Sequence, residues 1–234
     1  MASMSWHHLE RAAAVAALRE AGPGRPTLCE GWRTEQLAAH LVLRERDPLA
    51  AAGIVVPPLA GRTERRTQEV GARAAAPAAW EELLRQVEDG PPAWSPLRWG
   101  GDPAQLAEYF VHTEDVRRAG PDGRDVPTRP RSPAHTAALW RALRQRAPML
   151  LRRAPVPLEL TDGEQVLRVG HAGHGGGATA AVVRGDVGDL LLWAYERSRV
   201  AHVEVEGDAE QVAALERFRP AISGPGHPPP AARP

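Results

Sequence analysis

The stretch Ala104–Ala119, AQLAEYFVHTEDVRRA, has the pattern of a helix able to grip an ion. Glu108 and His112 are four residues apart, and Asp115 lies three beyond. Residues four apart on an α-helix share a face, with Cβ atoms about 5–6 Å apart. A carboxylate and an imidazole so spaced can reach one cation. The same pair is also the pattern of a surface ion pair or a satisfied core polar pair. A metal site requires a third ligand from elsewhere in the chain.

Upstream, Leu28–Leu41, LCEGWRTEQLAAHL, leads into a second helical pattern. Thr34 is placed to be its N-cap, and Leu37, His40, Leu41 and Arg44 follow at i, i+3, i+4 and i+7. Asp47-Pro48 ends it. His40 therefore sits beside an inward stripe, among leucines. By itself it could be a hydrogen-bonded core histidine. Packed against the Glu108–His112 helix, it completes a set of two histidines and one carboxylate. Bundles hold metals with side chains from facing helices. That donor set with an open position suits catalytic zinc or non-haem Fe(II). Asp115 could orient the His112 ring, or pair with Arg118. Arg44, one turn past His40, could meet an anionic substrate or thiol carboxylate.

The flanking chain reads as helices first and strands later. A helix is expected over Ser5–Glu20 with Leu9, Ala12, Ala13, Ala16 and Ala17 as its apolar stripe. Residues 49–62 read as an apolar connection broken by a proline pair. A further helix is expected from about Thr63, interrupted at Pro77, which can open another that Gly90 closes. Ser132-Pro133 is a cap followed by a first-turn proline, starting a helix to about Arg153. From Ala154-Pro155 the pattern changes: PLELT, an Asp162-Gly163 turn and EQVLRVG predict a β-hairpin. ATAAVVRG and AHVEVEG predict two more strands, DVGDLLLWAYERSR and DAEQVAALERF two more helices. The expected organisation is an up-down helical bundle over 5–153, a small α+β domain over 155–220 and a disordered tail over 221–234.

Composition narrows the chemistry. The 234 residues carry 29 basic and 29 acidic side chains, for zero formal charge, and every basic one is arginine. Lysine Schiff-base catalysis and the phosphate-loop lysine are thereby excluded. The balance argues against a nucleic-acid partner. Cys29 is the single cysteine, so no disulfide or cysteine-based zinc knuckle forms within the chain; it reads as a small buried residue. His7-His8 and His171/His174 lack a third partner at metal-binding spacing. No signal-peptide core or membrane-length apolar run is present, which predicts a cytoplasmic protein without a membrane partner.

Leu28–Leu41 and Ala107–Ala119 together resemble the actinobacterial branch of the DinB/YfiT-like metalloproteins, which includes mycothiol-dependent maleylpyruvate isomerase. Gly31-Trp32 and Ala38–Leu41 resemble the family's Gly-Trp, helix, Ala-Ala-His-Leu pattern. Glu108, His112 and Asp115 resemble its Glu-x-x-x-His-x-x-Asp pattern. Gly185–Trp193, GDVGDLLLW, resembles part of the sterol-carrier-like domain that follows the family's bundle. The resemblance implies a DinB-like bundle binding a divalent ion, commonly Zn²⁺, through His40, Glu108 and His112. It also implies a low-molecular-weight thiol, mycothiol, as co-substrate and a small electrophile as its target, hence a transferase or isomerase. Where relatives carry Gly-Arg after the C-terminal helix, this chain has Ala194-Tyr195-Glu196-Arg197. A non-catalytic metal-binding or ligand-sequestering stress protein is the alternative.

Overall fold

The computed structural model describes residues 5–98, 102–170 and 179–218. Among them the protein is mixed in class and mostly helical, with one four-stranded sheet. It divides into two compact units, one of residues up to Asp102 with His112–Gly123, the other of Pro103–Val111 with the residues from Arg124 on. The division passes through a single continuous helix, Asp102–Arg117. Helix 133–150 falls with the strands, not with the helices before it. The expected disordered tail over 221–234 and the His171/His174 loop lie outside the described residues.

The first unit is built around one helix. Helix α1 spans Trp6–Ala21 and α2 spans Thr34–Arg46. Leu37, Ala38, Ala39, Leu41, Val42 and Leu43 of α2 are all buried, and α2 packs on α1 and on the three helices that follow it. Arg33, not Thr34, caps it. The Arg33 N–H donates to Gln36 Oε1 at 3.0 Å, while the Thr34 hydroxyl donates back to the Gly22 carbonyl at 2.8 Å. On α1 the buried face is Glu10, Arg11, Ala14, Val15 and Leu18, and the alanine stripe expected from sequence is turned away, with Ala12 and Ala16 exposed. The larger Val15 and Leu18 bury more apolar area than alanines do, and they set the rotation.

The expected loop after Asp47 is a helix. Helix α3 spans Pro48–Val55, with Pro48 in its first turn and Asp47 Oδ1 accepting from Leu49 N and Ala50 N, each at 3.1 Å. The proline pair, Pro57 and Pro58, comes only after it, in a short 3-10 turn. Helix α4 spans Ala60–Arg73. Thr63 on α4 donates its hydroxyl to the Ala50 carbonyl of α3 at 2.9 Å. A Cβ at Gly53 would lie 2.0 Å from Thr63 Oγ1 and 2.8 Å from the Leu59 carbonyl oxygen. Glycine is needed there for the close approach. Gly53→Ala is expected to cost about 1–3 kcal/mol through overpacking, read as a drop in the urea midpoint. An unchanged midpoint would show that α3 shifts freely. Helix α5 spans Pro77–Asp89, buries Trp80, Leu83, Leu84 and Val87, and ends at Gly90 with φ 73°. This is the cap-to-stop pattern the sequence carries.

Helix α6 is Asp102–Arg117, and in the second unit it is followed by α7, Pro133–Leu150, whose Ser132 cap accepts from His135 N at 3.3 Å. Strands β1 (Leu158–Thr161), β2 (Val166–Val169), β3 (Ala181–Gly185) and β4 (Val203–Glu206) form a sheet in the order β2-β1-β3-β4. β1 runs antiparallel to β2 and parallel to β3, and β3 antiparallel to β4. Helix α8 spans Val187–Ala194 and α9 spans Ala209–Arg217, each opened by an aspartate cap, Asp186 and Asp208. α8 stops at Ala194, before the YERSR residues expected to extend it. Glu196 takes φ 65°, and Arg197 N turns back to the Leu192 carbonyl at 2.8 Å.

The β1–β2 turn is held by Asp162. Its Oδ1 accepts from Glu164 N and Gln165 N at 3.0 and 2.7 Å, and its Oδ2 from the Trp140 indole of α7 at 2.5 Å. Partial burial pushes the Asp162 carboxyl up, but these donors outweigh it and hold it below the usual carboxylate range. A carboxylate depressed in the folded state stabilises at neutral pH and loses that contribution as pH falls through its folded value. Asp162→Asn should therefore be less stable than the parent at pH 7. The gap should close on acidification below about pH 4, the ordinary aspartate range. A gap independent of pH would show that the charge contributes nothing.

Candidate metal centre

A short loop delivers one side of the site. Residues 22–33 close on themselves through a Pro26–Arg33 bridge, and Gly31 adopts φ 77°, a left-handed conformation that glycine takes without Cβ strain. The Thr27 hydroxyl donates to the Trp32 carbonyl at 2.8 Å. Trp32 is thereby turned inward, its ring centre 5.0 Å from that of His40, and its indole N–H reaches Glu64 of α4 at 3.1 Å. Trp32 is buried, as core packing predicts.

His40 on α2 and His112 on α6 are both buried, their rings edge to face with centres 5.3 Å apart. Glu108, half-buried, is one turn before His112 on the same helix. One potential ligand atom from each of His40, Glu108 and His112 lies within 4.8 Å of the other two. The three residues singled out in the sequence thus come together. Arg44 is half-buried one turn further along α2. The His7 and His8 rings are tilted with centres 4.2 Å apart, and among the described residues no such group includes them.

Asp115 is fully buried, and its Oδ2 lies 2.8 Å from His112 Nδ1. A carboxylate on one ring nitrogen favours the tautomer with the proton on Nδ1 and the lone pair on Nε2. Arg118 Nε pairs with Glu114 at 2.8 Å. Asp115 Oδ2 also accepts from the Cys29 thiol at 3.1 Å, and its carbonyl accepts from Leu28 N at 3.0 Å. One residue therefore ties the loop to α6 through both side chain and backbone. Cys29, His112 and Asp115 form a second close group of potential ligands. The Cys29–Asp115 contact spans 86 positions, and no local pattern in the sequence announces it.

Arg146 of α7 is another residue that sequence reading missed. Its Nε donates to the Tyr195 hydroxyl at 3.1 Å. Burial pulls its pKa down, but Tyr195 and the Glu108 carboxylate outweigh that and raise it. A permanent positive charge therefore sits in the field of the Glu108 carboxylate. Two imidazoles and a carboxylate are donor types suited to a divalent transition metal. No protein-family model, curated protein or solved structure matches the chain.

Proposed function

We propose that this protein is a divalent-metal, most plainly Zn²⁺, enzyme of the DinB/YfiT-like kind. In this reading His40, Glu108 and His112 hold the ion, and a small thiol, mycothiol, is the co-substrate for transfer to, or isomerisation of, a small electrophile. The observation that carries the reading is the convergence of those three ligand atoms within 4.8 Å, with Asp115 on the far nitrogen of His112. The thiol is inferred from the resemblance of Leu28–Leu41 and Ala107–Ala119 to that family's motifs. Three protein ligands leave a tetrahedral ion one position for an exogenous ligand.

Bound there, zinc would lower the pKa of a coordinated thiol and present it as the thiolate nucleophile. The chain's own residues set the stage. Asp115 favours the His112 proton on Nδ1, Arg146 sets a positive charge in the field of Glu108, and Trp32 shields the His40 ring from water. No protein nucleophile is called for, in keeping with a chain that has no lysine and one cysteine, whose thiol donates to Asp115. Arg44 is the candidate for contact with an anionic group of the thiol.

The test is a thiol titration of the zinc-loaded protein, followed by melting temperature. A ligand at 100 times its Kd stabilises the native state by about 2.7 kcal/mol, so a saturable rise in Tm is expected with mycothiol. The rise should be absent in the metal-free protein. Metal uptake without any thiol-dependent shift would favour the sequestering alternative.

A further inference from the structure

On the Asp115 side of the His112 ring, the first unit holds a second set of metal-ligating side chains. Cys29, His112 and Asp115 are all buried, and one potential ligand atom from each lies within 4.8 Å of the other two. Asp115 Oδ2 is the hub, accepting from the Cys29 thiol at 3.1 Å and lying 2.8 Å from His112 Nδ1. Around one zinc-sized ion, with sulfur at about 2.3 Å and nitrogen and oxygen at about 2.0–2.2 Å, tetrahedral ligand atoms stand about 3.3–3.6 Å apart. The two contacts therefore hold sulfur and nitrogen within about half an ångström of the spacing to oxygen that a shared ion requires.

The backbone fixes these groups from both sides. Leu28 N donates to the Asp115 carbonyl at 3.0 Å, and Trp32 N to the Cys29 carbonyl at 3.0 Å. Cys29 N donates to the Thr27 hydroxyl at 3.2 Å, so the cysteine is presented by a tight turn anchored on α6. His112 and Asp115 are three residues apart on α6 and share a face. Cys29, itself 3% exposed, also lines an open recess of about 520 Å³ together with Pro26, Thr27 and residues 30–33. The recess gives an ion from solvent an approach to the sulfur.

We propose that Cys29, Asp115 and His112 Nδ1 form a second metal position, selective for a thiophilic divalent cation of the cadmium kind. On binding, the Cys29 S–H bond breaks and its proton leaves to water. The sulfur bonds to the ion, and the His112 proton moves from Nδ1 to Nε2. A neutral imidazole has one lone pair, so ligation here excludes ligation through Nε2. The ion brings two positive charges while one proton leaves, so the buried cluster gains one positive charge. Glu114 beside it is already met by Arg117 and Arg118. Only a strong bond to sulfur offsets that charge and the two lost hydrogen bonds, which favours cadmium, softer than zinc. The position shares His112 with the proposed zinc site and does not rest on that reading.

The experiment titrates cadmium chloride into the full chain and follows thiolate-to-cadmium charge-transfer absorption, with X-ray absorption at the cadmium edge to identify the bonded atoms. Cys29 is the single cysteine, so any such band reports this position. The band is expected to saturate at one cadmium per chain, with one sulfur among nitrogen and oxygen neighbours, in the parent and equally in His40→Ala. Zinc-loaded parent should release its zinc as the band grows. Cys29→Ser should lose the band. Asp115→Asn keeps the thiol and should weaken cadmium about tenfold or more. If Cys29→Ser does not fold, the parent band and Asp115→Asn decide. No band in the parent overturns the site, as does unchanged affinity in folded Asp115→Asn, which would leave a thiol acting alone. Cadmium bound at sulfur with zinc retained overturns the exclusion through His112. A parent that shows the band but takes up no zinc overturns the zinc reading and leaves this site standing.

Discussion

His40→Ala is expected to abolish stoichiometric metal binding, and Asp115→Asn to weaken it by about 10–100-fold. The two differ because they act at different distances from the ion. In the proposed site His40 would supply one of three converging potential ligand atoms, and the two remaining donors do not make the set of a zinc site. Asp115 acts through His112, whose Nδ1 it meets at 2.8 Å. An asparagine can present its carbonyl to the same N–H, but without the charge that raises the imidazole's basicity. Elemental analysis of purified protein, with competitive chelator titration for Kd, separates the cases. Circular dichroism establishes that each variant is folded. Full metal occupancy in folded His40→Ala would falsify the proposed ligand set. A Kd unchanged in Asp115→Asn would reduce Asp115 to a tie between the loop and α6.

That tie bears on how much of the site was legible in the sequence. His40, Glu108 and His112 could be picked out because each lies on a helix whose start, stop or stripe is written locally. Pro77 and Gly90 bracket α5, and Asp162-Gly163 marks the hairpin in the same way. Turn and cap chemistry is short-range, so it survives in the one-dimensional pattern. Helix α3 was missed despite such a signal. Asp47-Pro48 ends α2 and starts α3 at once, and the apolar run behind it reads equally as a loop. The face of α1 was misplaced because four alanines outnumber Val15 and Leu18 without outweighing them. Contacts such as Cys29 to Asp115 and Arg146 to Tyr195 join residues 86 and 49 positions apart. They follow from packing, which no window along the chain reports.

The largest effect on stability is expected from Glu45→Ala, and its origin is the burial of α2. Glu45 lies five residues beyond His40 and is enclosed as fully as the apolar residues around it, its side chain 1% exposed. Its carboxylate is met by both terminal nitrogens of Arg11, at 2.8 and 2.7 Å, and Arg11 Nη1 also donates to the Val87 carbonyl at 2.9 Å. The pair therefore joins α1, α2 and α5. Gly90 makes room for it, since a Cβ there would lie 3.0 Å from Arg11 Cζ. Removing only the carboxylate leaves a buried guanidinium whose counter-charge is gone, a loss of about 3–5 kcal/mol. Against a typical total of about 5–15 kcal/mol, that is enough to leave a large unfolded fraction on modest warming. Removing both charges is a different matter. Arg11→Met with Glu45→Leu fills similar volume without desolvating an ion, and such replacements are often neutral or stabilising. The double variant should therefore recover most of what Glu45→Ala loses, measured by urea denaturation. It should also keep the metal stoichiometry of the parent, because neither residue is a ligand. A double variant as unstable as the single one would mean that the pair's geometry, and not its unpaired charge, holds the three helices together.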